Sequence, residues 1–391
     1  MKFLSVLPSL PAVAYRSVSG VPSIGILSTY PPTACGLATF SAALSQGLRA
    51  NGSEVSVVRI ADGSPSDDAH LIGELVNGSP ASVAASAELL NQSEVAVIQH
   101  EYGIYGGTDG DEVIDILRGL RIPSIVVAHT VLKNPTPQQR WVLETIAGLA
   151  DQVVVMSAAA HTRLSEGYDV DRRKISIIPH GAAVAGNVQV KRSGRPTVLT
   201  WGLLGPGKGI ERVIDAMDSL HDLPGRPRYL IAGRTHPKVL AADGDAYRGA
   251  LQERAKLRGV GDSVSFDATY RDSRSLSALV QSAAVVVLPY DSTEQVTSGV
   301  LVDAIANGRP VVATAFPHAV ELLGDGTGIV VPHGDTDALR SALHLVLTQP
   351  RLAGNMAARA RLLGPTMAWP VVAKDYLVLA RRLCVTRSAL V

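Results

Sequence analysis

The sequence predicts an α/β protein built from two Rossmann-like domains, and three observations support this expectation. Short apolar runs that stop at a proline, a glycine or a polar residue alternate with segments of helical periodicity, which is typical of parallel sheets covered by helices. The 391 residues are too many for one domain with a single hydrophobic core and about right for two domains of ordinary size. Apolar residues make up 46% of the chain and aromatic residues only 4%, which indicates an aliphatic core.

Composition argues against several classes of protein. The 36 Lys and Arg residues nearly cancel the 35 Asp and Glu residues, so nucleic-acid binding has no bulk electrostatic support. Cys35 and Cys384 lie far apart, which argues against a disulfide scaffold and for a reducing compartment. The sequence has no C-x-x-C pair, no His-x-x-x-His pair and no P-loop lysine motif. We therefore expect a cytoplasmic protein that needs no metal or other cofactor.

Residues 1–21 are predicted to form a loose N-terminal extension. The apolar run over residues 3–14 has a weak likeness to a secretory signal, which is the less favoured interpretation. Pro8 and Pro11 interrupt this run, and it is too short to span a bilayer. Any membrane contact is expected to be peripheral and at the cytosolic face.

The order of the predicted elements divides the chain into an N-terminal domain over residues 22–185, a linker over 186–196 and a C-terminal domain over 197–368. The predicted strands cover residues 22–28, 54–60, 95–99, 122–128, 152–156, 174–178, 197–201, 229–232, 264–266, 285–288, 311–314 and 329–332. The main predicted helices cover residues 37–50, 137–149, 210–220, 247–258, 275–282, 335–347 and 371–383.

Polar side chains follow strands of the first half, at the carboxyl edge where a parallel sheet opens its ligand crevice. His100, Glu101 and Tyr105 follow the third strand, and His129 ends the fourth beside a long polar loop. Gly36 lies in the loop after the first strand. Each has a competing interpretation. The residues after the third strand could face solvent in a capped loop, His129 could be a core imidazole, and Gly36 could be a structural turn glycine. Nicotinamide binding ranks low because no G-x-G-x-x-G is present.

A glycine-rich turn at residues 202–209 joins a strand to a helix in the second half. Glycines allow the backbone to approach a diphosphate closely, and the ammonium of Lys208 can compensate its charge. Gly207 and Lys208 are therefore candidate phosphate contacts. The alternative is an exposed lysine in an ordinary loop.

The stretch over residues 288–314 predicts a strand, a polar loop, a helix and another strand. Thr297, Ser298 and Gly299 stand at the helix start, where unpaired N–H groups and the helix dipole favour an anion such as a phosphate. Asp303, one turn further, can accept hydrogen bonds from a sugar hydroxyl. The competing interpretation is one more strand–helix–strand unit of a doubly wound domain.

This stretch is similar to the nucleotide-sugar-binding segment of GT-B glycosyltransferases, in particular the retaining glycosyltransferase family 4. In that family two acidic residues, separated by seven others, precede a helix that ends in Gly-x-Pro-Val-Val. Asp303 fills the second acidic position, and Asn-Gly-Arg-Pro-Val-Val follows it. Gln295 stands at the first acidic position with Glu294 beside it, and Ser298 stands at a family glycine with Gly299 beside it.

Two further sites resemble the family. The glycine-rich turn carries the expected Lys208-Gly209 pair, but Leu203 stands where an arginine is usual. Arg234 is a candidate to supply the missing charge. His129 corresponds to a histidine that the family places beside the donor sugar.

The resemblance covers about residues 21–383 and implies a GT-B fold, in which two facing Rossmann-like domains with parallel sheets enclose an interdomain cleft. Residues 369–391 would form a helix that crosses back to the first domain. The implied reaction transfers a hexosyl group, with retention, from a nucleoside diphosphate sugar to a sugar, glycolipid or small-molecule acceptor. Its donor is a nucleotide sugar, and its acceptor is a carbohydrate or is lipid-linked.

The resemblance also assigns roles to residues. His129 and Lys208 are the implied catalytic residues. The implied donor-binding residues are Gly36, Gly207, Arg234, Glu294, Gln295, Thr297, Ser298, Gly299 and Asp303. The implied acceptor-binding residues are His100, Glu101 and Tyr105.

Two other functions stay open. The first is a catalytically weak module that binds a nucleotide sugar. It is motivated by Leu203 and Gln295, which depart from the family pattern. Another GT-B enzyme, such as a sugar-nucleotide epimerase or a phosphorylase, is the second alternative.

Overall fold

The computed structural model describes residues 20–184, 194–269 and 271–388. The predicted N-terminal extension up to residue 19, the predicted linker from 186 to 193 and the last residues of the predicted tail lie outside them. The described residues form two parallel sheets, and each sheet has hydrophobic clusters on both faces. This confirms the predicted α/β architecture of two Rossmann-like domains.

The first domain contains a seven-stranded sheet with the order β3-β2-β1-β4-β5-β6-β7. Its strands are Ile24–Ser28 (β1), Val55–Ile60 (β2), Leu71–Leu75 (β3), Val95–His100 (β4), Ser124–Ala128 (β5), Gln152–Val155 (β6) and Ile175–Ile177 (β7). Its helices are Gly36–Ala50 (α1), Pro80–Leu90 (α2), Val113–Gly119 (α3), Pro137–Leu149 (α4) and Ala158–Gly167 (α5).

The second domain contains a six-stranded sheet with the order β10-β9-β8-β11-β12-β13. Its strands are Thr197–Trp201 (β8), Arg228–Ala232 (β9), Val264–Asp267 (β10), Val285–Leu288 (β11), Val311–Thr314 (β12) and Gly328–Val331 (β13). Its helices are Ile210–Leu220 (α6), Pro237–Asp243 (α7), Ala246–Leu257 (α8), Ser273–Ser282 (α9), Gly299–Ala306 (α10), Pro317–Leu323 (α11), Thr336–Thr348 (α12) and Pro350–Leu363 (α13).

Strand β3 is an element that the sequence did not predict. It lies at the edge of the first sheet and alternates between half-buried and exposed positions, with only Leu75 fully buried. An edge strand needs no continuous apolar run, because only one of its neighbours is a strand. Helices α2, α3 and α7 were also not predicted.

The last helix, Trp369–Ser388 (α14), packs on α1 of the first domain, as the resemblance implied. The approach is close at Gly47, where a Cβ atom would lie 2.7 Å from the carbonyl oxygen of Trp369. Tyr376 and Phe40 belong to the apolar cluster between the two helices and the sheet. Within the described residues, no helix has the length and hydropathy that a membrane span requires.

Candidate active site

The strand order brings the candidate residues to two sheet edges. The chain order reverses between β1 and β4 in the first sheet and between β8 and β11 in the second. Connections leave the two strands at such a point in opposite directions, so a crevice opens at their carboxyl ends. Lys208 follows β8 and Gln295 follows β11, while His129 follows β5, the neighbour of β4.

The glycine-rich turn after β8 is fixed against the loop after β11. Gly209 has a φ of +64°, and a Cβ atom there would lie 1.8 Å from the carbonyl oxygen of Pro289. The N–H of Asp291 donates to the carbonyl oxygen of Gly207 at 2.9 Å. Glycine is therefore required at position 209 by both its left-handed backbone and its contact with the next loop. These contacts set the position of Lys208.

The ammonium of Lys208 lies 4.5 Å from the centroid of the Tyr290 ring. The negative face of an aromatic ring attracts a cation at this distance. Burial lowers the pKa of Lys208, because the charged form loses part of its hydration. An anionic ligand would compensate this loss, so the position favours a phosphate.

One cleft connects the two domains. A cavity of about 520 Å³ is lined by His129 and Arg163 from the first domain and by residues 291–297 from the second. A neighbouring cavity of about 470 Å³ is lined by Gly207 and Lys208. The two cavities have three lining residues in common, which are Asp291, Ser292 and Gln295. The structure thus brings His129, Lys208 and Gln295 to two adjacent cavities that share part of their walls.

His129 is half-buried at the end of β5. Its Nε2 lies 2.7 Å from Oε1 of Gln99, and the Phe40 ring meets it edge to face at a centroid distance of 4.7 Å. Burial, with smaller contributions from His180 and His100, lowers the pKa of His129 to about 3. The imidazole is therefore neutral at neutral pH.

The start of α10 contacts two histidines. Ser298 caps the helix, and its Oγ accepts the N–H of Leu301 at 3.3 Å. The N–H of Ser298 donates to Nδ1 of His318 at 2.9 Å, so this predicted phosphate donor has a protein acceptor. A Cβ atom at Gly299 would lie 2.8 Å from Nε2 of His180, which explains a glycine there.

Asp303 lies beside the connection between the domains. Burial raises the pKa of Asp303 to about 7, partly offset by a hydrogen bond with the Ala183 backbone. Nδ2 of Asn307 also donates to the carbonyl oxygen of Ala183, at 3.3 Å. Asp303 lines neither of the two cavities, so the structure does not bring it together with Lys208 and His129.

Two of the other predicted donor contacts are exposed. Gly36 is the first residue of α1 and has open space around it. Arg234 follows β9, and its Nε donates to the carbonyl oxygen of Ala268 at 3.3 Å. The backbone of Arg234 accepts the N–H of Leu204, so it borders the glycine-rich turn.

The predicted acceptor contacts divide into two groups. His100 is fully buried, and Tyr105 is 5% exposed with its hydroxyl donating to the carbonyl oxygen of Gln99 at 2.6 Å. Both rings therefore lie in the core of the first domain and not on the cleft wall, a correction to the sequence-based expectation. Glu101 accepts a short hydrogen bond from the hydroxyl of Thr130, which lines the larger cavity. Burial raises the pKa of Glu101.

Arg163 is a cleft residue that the sequence did not reveal. Its Nη1 donates to the carbonyl oxygens of Val131 at 2.9 Å and Glu294 at 2.7 Å. Arg163 and Glu294 are 131 residues apart, so no local sequence pattern could have predicted their contact. Gln99 was likewise predicted only as the end of a strand.

The described residues also bear on whether the chain binds a metal ion. Across residues 20–184, 194–269 and 271–388, no group of three or more His, Cys, Asp and Glu side chains is arranged to hold a metal ion. The expectation of a metal-independent protein stays a prediction.

Two Rossmann-like domains that share a cleft define a protein of the GT-B class. A model described as Glycosyltransferase Family 4 matches residues 34–185, and one described as Glycosyl transferases group 1 matches residues 186–363. Together the two matches cover most of the chain in the order expected for that class. The chain belongs to the group 1, or family 4, glycosyltransferases.

The chain is also similar to known proteins in sequence and in structure. The D-inositol 3-phosphate glycosyltransferase of Nocardia farcinica is 28% identical over 281 residues, which is 66% of this chain and 60% of that protein. A glycosyltransferase from Rickettsia africae has a TM-score of 0.73 at 14% identity and covers 92% of this chain and 98% of its own. Anabaena HepE, solved with UDP and glucose, has a TM-score of 0.72 at 15% identity. The match covers 92% of this chain and 100% of the HepE chain.

Proposed function

We propose that the chain is a retaining glycosyltransferase that moves a hexosyl group from a nucleoside diphosphate sugar to a sugar, glycolipid or small-molecule acceptor. The observation that carries this proposal is the shared cleft. His129 approaches it from the first domain, and Lys208 and Gln295 approach it from the second. Family membership supports the reaction class, and the solved complex of Anabaena HepE with UDP and glucose supports a nucleotide-sugar donor.

Lys208 would stabilise the leaving diphosphate. Negative charge builds on that group as the glycosidic bond breaks, and a preorganised cation in a partly dry pocket stabilises such charge strongly. The ammonium of Lys208 is already placed over Tyr290 and fixed by the Gly209 turn. It therefore needs little reorganisation during the reaction.

The sugar would occupy the larger cavity. Glu294, Gln295 and Thr297 line one side of it and His129 the other, so hydroxyl groups can be bound from both domains. The amide of Gln295 can donate as well as accept, unlike the acidic side chain that is usual there. Asp303 keeps its proposed role toward the ribose, which requires the donor to extend beyond the two cavities toward Ala183.

The donor is tested by a thermal-shift screen of the purified chain against nucleoside diphosphates and their sugars. A ligand that binds the native state raises the melting temperature by mass action. Labelled donors with a panel of acceptors then test transfer, and NMR of the anomeric centre of the product tests retention. A screen in which no nucleoside diphosphate or nucleotide sugar shifts the melting temperature would contradict the proposal.

The second candidate function is a catalytically weak nucleotide-sugar-binding module. Leu203 replaces the usual arginine, and the N–H of Ser298 is occupied by His318. Such a module would show saturable donor binding without release of nucleoside diphosphate. An epimerase would instead return an epimerised nucleotide sugar without transfer.

A further inference from the structure

We propose that Gln99 is a positioning residue that holds His129 as its Nε2–H tautomer, so that Nδ1 is the hydrogen-bond acceptor that His129 offers to the cleft. The consequence for the sugar rests on the proposed function, whereas the tautomer itself does not. No role for Gln99 follows from the sequence, where it is one residue of an apolar strand.

The contact between the two side chains determines the proton position. Gln99 is fully buried, and its Oε1 lies 2.7 Å from Nε2 of His129. An amide oxygen only accepts hydrogen bonds, so with Oε1 of Gln99 toward the ring, the nitrogen that faces it carries the proton. In a neutral imidazole the other nitrogen is then an acceptor, as in sites where a buried partner sets the histidine tautomer.

The backbone fixes this geometry. Gln99 and Val127 are register partners on the adjacent strands β4 and β5, and His129 follows two residues after Val127. The N–H of His129 donates to the carbonyl oxygen of His100 at 3.1 Å. The hydroxyl of Tyr105 donates to the carbonyl oxygen of Gln99, which holds the end of β4 from the other side.

The surroundings keep the ring neutral. His180 and His100 contribute to the lowered pKa of His129, and burial lowers the pKa of each of them to about 4, so neither carries charge at neutral pH. Glu101 is bonded to Thr130, while Arg163 and Glu294 border the same cavity. The side chain bonded to the His129 ring is thus an uncharged amide, where a carboxylate would favour the imidazolium.

A neutral imidazole that lines the cavity and has Nδ1 as its acceptor selects for a hydroxyl group. A sugar hydroxyl can donate to Nδ1, whereas a sugar carboxylate at the same place has no proton to give and is repelled. The sugar in the cleft should therefore present a hydroxyl to His129. This consequence explains why an uncharged residue is placed behind the ring.

Two isosteric substitutions test the proposal. Gln99→Met removes the hydrogen bond and frees the tautomer, so kcat should fall by about 10-fold, the value of one buried hydrogen bond. Gln99→Glu places a carboxylate behind the ring, which should move the acid limb of the kcat profile upward by at least about one pH unit. Gln152→Met is the matched control, because Gln152 is also buried in this sheet and bonds Ser176.

Long-range ¹H–¹⁵N NMR of the histidine rings separates the tautomer from the activity. In the wild-type chain His129 should be protonated at Nε2 and free at Nδ1, and Gln99→Met should change this pattern while Gln152→Met leaves it intact. A wild-type Nδ1–H ring, or a tautomer unaltered in Gln99→Met, would overturn the proposal whether or not transfer is detected. Absence of transfer with the expected tautomer would count against the proposed function alone.

Discussion

Nη1 of Arg163, in the first domain, donates to the carbonyl oxygen of Glu294, in the second domain, at 2.7 Å. The same nitrogen donates to the carbonyl oxygen of Val131, so one guanidinium joins the two walls of the cleft. A second contact reinforces it: Oγ of Ser157 donates to the carbonyl oxygen of Val296 at 2.6 Å. The loop that carries the predicted sugar contacts is therefore held by the opposite domain.

The start of α5 strengthens this contact between the domains. The carboxylate of Glu321 accepts hydrogen bonds from the N–H groups of Ala158 at 3.0 Å and Ala159 at 3.2 Å. A carboxylate at a helix N-terminus also interacts favourably with the helix dipole. Together these contacts link the two domains beside the cleft.

The first prediction concerns Arg163. Arg163→Met should raise KM for the nucleotide-sugar donor by about 10-fold with a smaller effect on kcat, because a charged hydrogen bond that positions the Glu294 loop is lost. Steady-state kinetics with varied donor measures both constants. Arg118→Met is the control, since Arg118 pairs with Asp115 on the exposed surface of α3. A donor KM within twofold of wild type would contradict a positioning role.

The second prediction concerns Lys208. Lys208→Ala should lower kcat by about 100-fold or more, because the charge that opposes the leaving diphosphate is lost. Lys208→Arg should retain part of the activity. Lys256→Ala, which removes an exposed lysine paired with Glu253, should have no effect. Steady-state rates at saturating donor and acceptor provide the measurement, and a loss of less than threefold in Lys208→Ala refutes the assigned role.

The third prediction compares two glycines of the same turn by urea denaturation. Both have positive φ, but open space surrounds Gly207 whereas Gly209 touches Pro289. Gly207→Ala should lower the free energy of unfolding by about 1 kcal/mol through backbone strain. Gly209→Ala adds a steric clash and should cost clearly more, about 3 kcal/mol. Equal losses for the two variants would show that the contact with Pro289 does not matter.

The fourth prediction concerns pH and Asp303. Burial raises the pKa of Asp303 from 3.8 to about 7, so the folded state binds a proton that the unfolded state releases. Stability from this group is full below pH 3.8 and is lost as the pH rises through about 7. Asp303→Asn should remove this dependence and make the chain about 1 kcal/mol or more stabler than wild type at pH 8.

Melting temperatures of both chains between pH 5 and pH 8 measure this effect. The gap between Asp303→Asn and wild type should widen with increasing pH. Asp335→Asn serves as the control, because Asp335 is an exposed cap of α12 that accepts the N–H of Ala338. A constant gap across the range would show that Asp303 is ionised in the folded state at every pH tested.

Much of the site followed from local patterns. The bounds of β11, β12 and α6 match those predicted, because continuous apolar runs and helical periodicity are signals within one element. His129 could be chosen because it ends a strand at the carboxyl edge of a parallel sheet, and Lys208 because it lies in a glycine-rich turn before a helix. Gln295 was implied by the family resemblance alone. His100 and Tyr105 follow such a strand too, yet they turn into the core. The direction of a side chain after a strand depends on packing partners elsewhere in the chain.

The sequence by itself determined the two Rossmann-like domains and the glycine-rich turn with its lysine, whereas the packing of the last helix on the first domain was implied by the family resemblance. Periodicity, glycine positions and family motifs encode these features over a few tens of residues. Only the tertiary structure decided that Arg163 joins the cleft walls, that Gln99 stands behind His129 and that Asp303 lies beside Ala183. Each of these contacts joins segments distant in sequence, and their partners are fixed by how strands and domains pack.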